Sequence, residues 1–209
     1  MIPLSQIITN VRIRHESESS IRWLNADIQE SINDGLDDLS EVTRFYERHV
    51  SVPMSSRRTY YDLRGFLPET ALGVTSIWSS VQEDWLEPRT ARELGSRWEQ
   101  AEGSPQHFFT RGIYWFAIWP RPAITTGYLR VYFAGQAPHF TYPQAVLMDL
   151  LDDMVPALEE YALYDLAAQD GETDRALFHF VDYSRRSDIL AKEVERRIVT
   201  SRVLKMGIR

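Results

Sequence analysis

The sequence predicts an α+β fold: a helical bundle, a small antiparallel β-subdomain inserted between its first long helix and its C-terminal helices, and an extended C-terminal tail. Two changes of period predict it. Apolar residues recur at helical spacing up to about residue 54 and again beyond about residue 140. Between these stretches lie short runs of aromatic and β-branched residues bounded by Gly and Pro, the pattern of strands and turns. The length adds a third observation, because 209 residues suffice for one ordinary core plus a small inserted unit. The divisions read as 1–56 for the first helices, 57–137 for the β insertion, 138–198 for the C-terminal helices and 199–209 for the tail.

The elements follow in order. Leu4, Ile7, Ile8 and Val11 recur at helical spacing after Pro3, which suits a first turn. Ser19 and Ser20 then open a longer helix with an apolar stripe of Leu24, Ile28, Ile32, Leu36, Leu39, Val42, Tyr46 and Val50. Asp27, Glu30, Asp34, Asp37, Asp38 and Glu41 occupy its solvent side, and Pro53 stops it. Gly35 within the stripe costs about 1 kcal/mol relative to Ala, so it reads as a site of close packing.

In the insertion, strands are expected at 59–63, 74–78, 114–119 and 128–133, with a short helix at 90–102 around Leu94 and Trp98. The runs 113–119 and 128–133 are too apolar for simple alternation, so both faces of each are expected to be covered. Five of the six tryptophans fall in this region. They have two readings: core aromatics for a small β-subdomain, or stacking platforms for sugars.

Helix returns from Pro143, through Val146, Leu147, Leu150, Leu151, Met154, Leu158, Tyr161, Ala162, Leu166 and Ala168, with Pro156 expected to kink or restart it near Val155. Asp170-Gly171 ends it. A last helix begins at Glu172-Thr173-Asp174 and buries Ala176, Leu177, Phe180, Val181, Ser184, Ile189 and Val194 on the way to Ile198.

Composition narrows the function. The chain has no cysteine, which removes disulfides, thiolate metal sites and cysteine nucleophiles. Its apolar runs fall short of the ~18 residues of a membrane span, and residues 1–20 lack a signal peptide's apolar block, so a reducing cytoplasm or an assembly built there is expected. A net charge of −7 argues against general affinity for phosphate backbones. No phosphate-binding loop, dinucleotide fingerprint, nucleophile elbow, HExxH or EF-hand loop is present, and no cofactor is expected. His15, His49, His107, His139 and His179 are spread along the chain and read as satisfied surface or interface histidines. Asp149, Asp152 and Asp153 read as the solvated side of a helix, and so do Glu159 and Glu160. Arg57-Arg58 and Arg185-Arg186 read as surface or salt-bridge residues.

The tail stands apart. From residue 196 onward the chain holds five of its 23 basic residues, Arg196, Arg197, Arg202, Lys205 and Arg209, and none of its 30 acidic ones. Val199, Val203, Leu204, Met206 and Ile208 are interleaved with them. Such a mixture suits a segment that orders on an acidic partner with apolar pockets.

An ordered set of short signals, running from about residue 21 to 198, resembles the head–tail adaptor (connector) proteins of tailed bacteriophages. It comprises Ile28-Gln29-Glu30-Ser31-Ile32 with Leu36-Asp37-Asp38-Leu39, then Tyr61-Asp62-Leu63 and Leu67-Pro68. Trp85-Leu86-Glu87-Pro88, Leu94 with Trp98, and Gly103-Ser104-Pro105 come next. The strand ending in Pro120-Arg121-Pro122, its successor at 128–133, Ala157-Leu158 with Tyr161-Ala162, and Asp174-Arg175-Ala176 complete it. Two departures stand out: Arg64-Gly65-Phe66 is extra, and the tail matches no fixed motif.

The resemblance implies a structural, non-catalytic virion protein at the head–tail interface, made in the host cytoplasm. Members assemble on the portal protein, usually as a ring of twelve copies. The ring extends the DNA channel and offers a platform to the next tail protein, a nozzle or tail tube. Viral DNA passes without specific binding, and no membrane is involved. The tail residues Arg196, Arg197, Val199, Arg202, Val203, Leu204, Lys205, Met206, Ile208 and Arg209 are then expected to dock on the portal. The helices 21–50 and 174–198 are expected at the core of each protomer and along subunit contacts, and the β-subdomain on the ring's outer or lower side, against tail proteins or spikes. The competing class is a carbohydrate-binding or hydrolytic module of a phage tail, resting on the tryptophans and carboxylates.

Overall fold

The computed structural model describes residues 3–15, 23–94, 98–141 and 153–206, with side chains to residue 197. The helices are α1 (Leu4–Arg14), α2 (Asn25–Thr43), α3 (Met154–Gln169) and α4 (Thr173–Met206). The strands are β1 (Glu47–Pro53), β2 (Tyr60–Asp62), β3 (Ala71–Ser79), β4 (Asp84–Trp85), β5 (Glu87–Pro88), β6 (Glu102–Gly103), β7 (His107–Arg111), β8 (Trp115–Trp119), β9 (Arg121–Pro122) and β10 (Tyr128–Gly135). The chain divides into two units, Met1–Phe45 with Ala137–Gly207, and Tyr46–Gln136. No described helix is long and apolar enough to cross a membrane.

In the helical unit α3 is central and packs against α1, α2 and α4. Its sequence is apolar nearly all round, as a helix covered on several sides requires: Met154, Val155, Ala157, Leu158, Ala162, Leu163, Leu166 and Ala167 are all buried. Pro156 lies in its first turn, a position that suits proline, while the expected stretch from Pro143 lies outside the described residues. At the other end Gly171 adopts φ +79° and the Glu172 N–H donates to the Ala167 carbonyl, which closes α3 and turns the chain into α4.

α2 begins where the Asp27 carboxylate accepts the Leu24 N–H at 2.7 Å; Ser19 and Ser20, the expected start, lie outside the described residues. It buries Ile28, Ile32, Leu36 and Leu39 as expected, but Val42 is exposed. It also ends early. Arg44 takes a left-handed conformation (φ 53°), and Tyr46 and Val50 fall outside the helix, Val50 within β1. A spacing of four residues satisfies both periods, and long-range pairing of β1 with β10 decides for strand. The returning chain is fixed to α2 by Asn33, whose amide both donates to the Phe140 carbonyl and accepts the Phe140 N–H.

The second unit is two four-stranded sheets, ordered β1-β10-β3-β4 and β2-β8-β7-β5, with a two-stranded β6-β9 pair. Val52, Ile77, Leu129, Val131 and Phe133 from the first sheet and Tyr61, Phe108, Phe116 and Ile118 from the second form one buried cluster. β8 is covered on both faces at its centre, where Ala117 pairs with Tyr60 and Phe109 on the neighbouring strands, but Trp115 on the same face is exposed and Trp119 half-buried, so the expected covering of both faces holds for the middle of the strand alone. β10 departs from expectation: Leu129, Val131 and Phe133 are buried while Arg130 and Tyr132 are half-buried, a simple alternation. The expected helix at 90–102 is also absent among the described residues, where a turn, a 3-10 helix at Trp98–Gln100 and β6 stand instead.

α4 runs on through Met206, so the backbone of residues 199–206 is helical where an extended tail is expected from the sequence. Ile208 and Arg209 lie outside the described residues.

Candidate functional site

Among the described residues, no group of three or more His, Cys, Asp or Glu is placed to hold a metal ion. Three surfaces carry the chemistry instead. The first is internal. Glu159 and Glu160, expected on a solvated face, are buried, since α3 has no solvated face at that point. Arg14 of α1 donates to Glu160 at 2.6 Å and stands 3.5 Å from Glu159. His179 of α4 meets the other Glu160 oxygen at 2.8 Å, and Asn10 donates to Glu159 at 2.7 Å. Burial alone pushes the Glu160 carboxyl up, but the Arg14 and His179 hydrogen bonds together outweigh it and hold the group below the usual carboxylate range. This knot ties α1 and α4 to the central helix. Its signal in the sequence is a pair of adjacent carboxylates inside an otherwise apolar helix, which must be paired when buried.

The second surface is α4. Its buried row is Ala176, His179, Tyr183, Ser187, Leu190 and Val194, spaced by threes and fours. Leu177, Phe180, Val181 and Ile189, expected to be buried, are exposed. The segment is apolar on both sides, and polar anchors choose the one that packs: His179 reaches Glu160, and the buried Tyr183 hydroxyl donates to Asp38 of α2. Toward its C-terminal end, Arg196 and Arg197 both donate to Glu193, which those bonds hold down at about 2. Of the expected docking residues, the structure therefore places Arg196 and Arg197 in this exposed cluster. Val199, Arg202, Val203, Leu204, Lys205 and Met206 continue the helix with side chains outside the described residues.

The third surface is aromatic. None of the tryptophans of the β unit belongs to the core; its buried rings are Tyr61, Phe108, Phe116 and Phe133. Each tryptophan instead has a partner against it. Arg130 lies over Trp78, Tyr132 beside Trp85, Phe109 edge-on to Trp98, Arg64 over Trp115 and His107 stacked on Trp119, with centroid distances from 5.0 to 5.6 Å. Asp62 holds Arg64 in place at 2.6 Å. An open groove of about 570 Å³ runs past Tyr60, Trp98, Phe109, Arg89 and Arg111. Its rings, Tyr60, Trp98 and Phe109, meet one another edge to face. Arg57 and Arg185 pair with Glu102 and Asp182, which matches their reading as salt-bridge residues.

A protein-family model described as SU10 adaptor protein matches residues 2–205. No curated protein matches the chain.

Proposed function

We propose that this chain, which belongs to the SU10 adaptor protein family, assembles as a ring of about twelve copies on a bacteriophage portal, extends the DNA channel and provides the platform for the tail. The near-full-length family match carries this reading, and it agrees with the head–tail adaptor resemblance of the sequence. The physical features support it. A chain whose job is adhesion leaves apolar side chains outside its own core, and α4 does so at Leu177, Phe178, Phe180, Val181 and Ile189. An acidic chain, with 30 carboxylates against 23 basic residues of which five lie from residue 196 onward, gives a channel wall that repels the phosphate backbone and lets DNA slide.

Portal docking belongs to the last turns of α4 and the C-terminal residues beyond them: Arg196, Arg197, Val199, Arg202, Val203, Leu204, Lys205, Met206, Ile208 and Arg209. Basic and apolar residues alternate there without an acid, so an acidic portal rim with apolar pockets is the complementary surface. The β unit, with its groove past Tyr60 and Trp98, faces the downstream tail protein. A pull-down with the portal tests this. The full chain retains the portal, and deletion of 199–209 abolishes retention while leaving the circular-dichroism spectrum of the fold; unchanged retention removes the docking role.

A further inference from the structure

The outer face of the β1-β10-β3-β4 sheet gathers hydrogen-bond donors around one arginine. Val52, Leu129, Val131 and Ile77 turn to the core, so the residues that alternate with them turn away from it. Arg130 sits in the middle of that face, level with Ser51 on β1 and Trp78 on β3, with Tyr128 and Tyr132 on either side along its own strand. Its guanidinium lies 5.3 Å from the centre of the Trp78 ring. Trp85 and His49 flank Tyr132, with ring centroids at 5.0 and 5.3 Å. Arginine, tyrosine and tryptophan packed together are the side chains that dominate binding energy at protein interfaces.

Charge says what such a face takes. Arg121, half-buried like Arg130, meets Glu102 at 2.6 Å. Arg130 pairs with no carboxylate among the described residues, and its buried Nε has no acceptor. The Tyr132 and Tyr128 hydroxyls beside it raise its pKa, so the guanidinium stays charged. Glu47, at the far end of β1, is taken by the Thr75 hydroxyl. The face therefore lacks a carboxylate, and α2 has them in excess: six, with no basic residue. Glu30 and Asp34 are exposed there, one turn apart, and neither pairs with a cation among the described residues. That turn spans about 6 Å, close to the ~6.8 Å between Arg130 and either tyrosine along β10. A phosphate backbone is the poorer fit, since it needs cations in a row and the groups around Arg130 are neutral donors.

We propose that Arg130 and its aromatic surround receive the Glu30–Asp34 turn of α2 from a second copy of this chain. The planar guanidinium, held over Trp78, presents its fork to a carboxylate, and the rings keep water from the pair. Donor face and acidic turn are different surfaces of one chain, so the contact is head-to-tail and each copy keeps one of each for the next neighbour. The inference rests on the ring reading above and adds a contact that makes the ring.

Charge exchange tests it in sedimentation velocity, with the chain alone and on its portal, and circular dichroism verifies each fold. Arg130→Glu, and separately Glu30→Lys with Asp34→Lys, are each expected to weaken self-association at least ~10-fold. A mixture of the two is expected to regain it, since the new carboxylate then meets the new ammonium groups. Arg130→Lys keeps the charge but loses the planar fork, so it is expected to fall between the parent and Arg130→Glu, and it carries the test where Arg130→Glu does not fold. Variants that associate like the parent, or folded variants whose mixture fails to recover, overturn the contact, while a ring formed by the parent leaves the ring reading standing. Retention of duplex DNA by the parent that is lost in Arg130→Glu gives the face to nucleic acid and overturns the contact as well. A parent chain that never self-associates, alone or on its portal, takes down both readings.

Discussion

The ring of Tyr161 in α3 lies over Gly35 in α2, so close that a Cβ on Gly35 would stand 2.9 Å from the ring's Cγ and Cδ1. Tyr161 cannot withdraw easily, because Tyr183 and Tyr164 meet it edge-on at 5.1 and 5.7 Å. Alanine at position 35 gains about 1 kcal/mol of helix propensity but overpacks a tight contact, at a cost of about 1–3 kcal/mol. Gly35→Ala is therefore expected to destabilise the chain by about 1 kcal/mol net in urea unfolding. A stabilised variant contradicts the account of α2 packing.

Glu160 makes the strongest single prediction in the helical unit. Glu160→Gln leaves Arg14 and His179 without their carboxylate, and breaking a buried pair costs about 3–5 kcal/mol. Arg14 is partly exposed and regains water, so about 2–3 kcal/mol is expected. A change below about 0.5 kcal/mol, the scale of an ordinary surface substitution, sinks the knot as a structural tie.

Acid acts on the same region with a definite sign. Burial, then the Arg175 charge, lowers the pKa of His15, so the folded chain keeps it neutral while the unfolded chain protonates it below about 6.5. Its contribution is present above that pH and is lost as pH falls toward the folded value. The Glu160 carboxyl is also depressed, so its contribution is present above about 4.5 and lost as pH falls through its folded value. Urea midpoints are expected to decline as pH falls below about 6.5 and again as it falls below about 4.5, with His15→Gln flattening the first limb. A midpoint that rises on acidification contradicts both assignments.

Gly127 holds the turn into β10 at φ +98°, where a Cβ would meet Val81 Cγ2 at 2.6 Å and Ser80 Oγ at 2.8 Å. The Ser80 hydroxyl accepts the Tyr128 N–H at 2.7 Å, so displacing it also uncaps the strand. Gly127→Ala is expected to cost about 2 kcal/mol or more and to raise hydrogen exchange first in β3 and β10. Wild-type protection in those strands rules the reading out.

The tryptophans give a prediction against the competing class. Arg64 lies over Trp115 and Tyr132 packs against Trp85, so one face of each ring is engaged within the chain, and a glycan array probed with the purified chain is expected to show no binding. Binding that disappears in Trp85→Ala or Trp115→Ala would restore the carbohydrate reading.

Much of this was legible in the sequence because the signals are local. Pro156 sits in the first turn of α3, Asp170-Gly171 closes it, and Gly35 admits a neighbour; each rests on the backbone chemistry of one residue or a pair. The features that escaped depend on partners far along the chain. Val50 fits helix and strand alike until β10 arrives to pair with it. Hydrophobicity cannot choose between the two apolar sides of α4; His179 and Tyr183 choose, through Glu160 and Asp38. Glu159 and Glu160 look solvated until Arg14 is placed against them. The tail's charge is plain in the sequence, yet its helical backbone to Met206 is not, since residues 199–209 lack an amphipathic period.

Electron microscopy of the purified chain bound to its phage portal tests the central claim most directly. The account predicts a closed ring beneath the portal, with the C-terminal end of α4 at the portal contact and a central channel left open. A chain that binds as isolated monomers, or that leaves the portal bare, contradicts it.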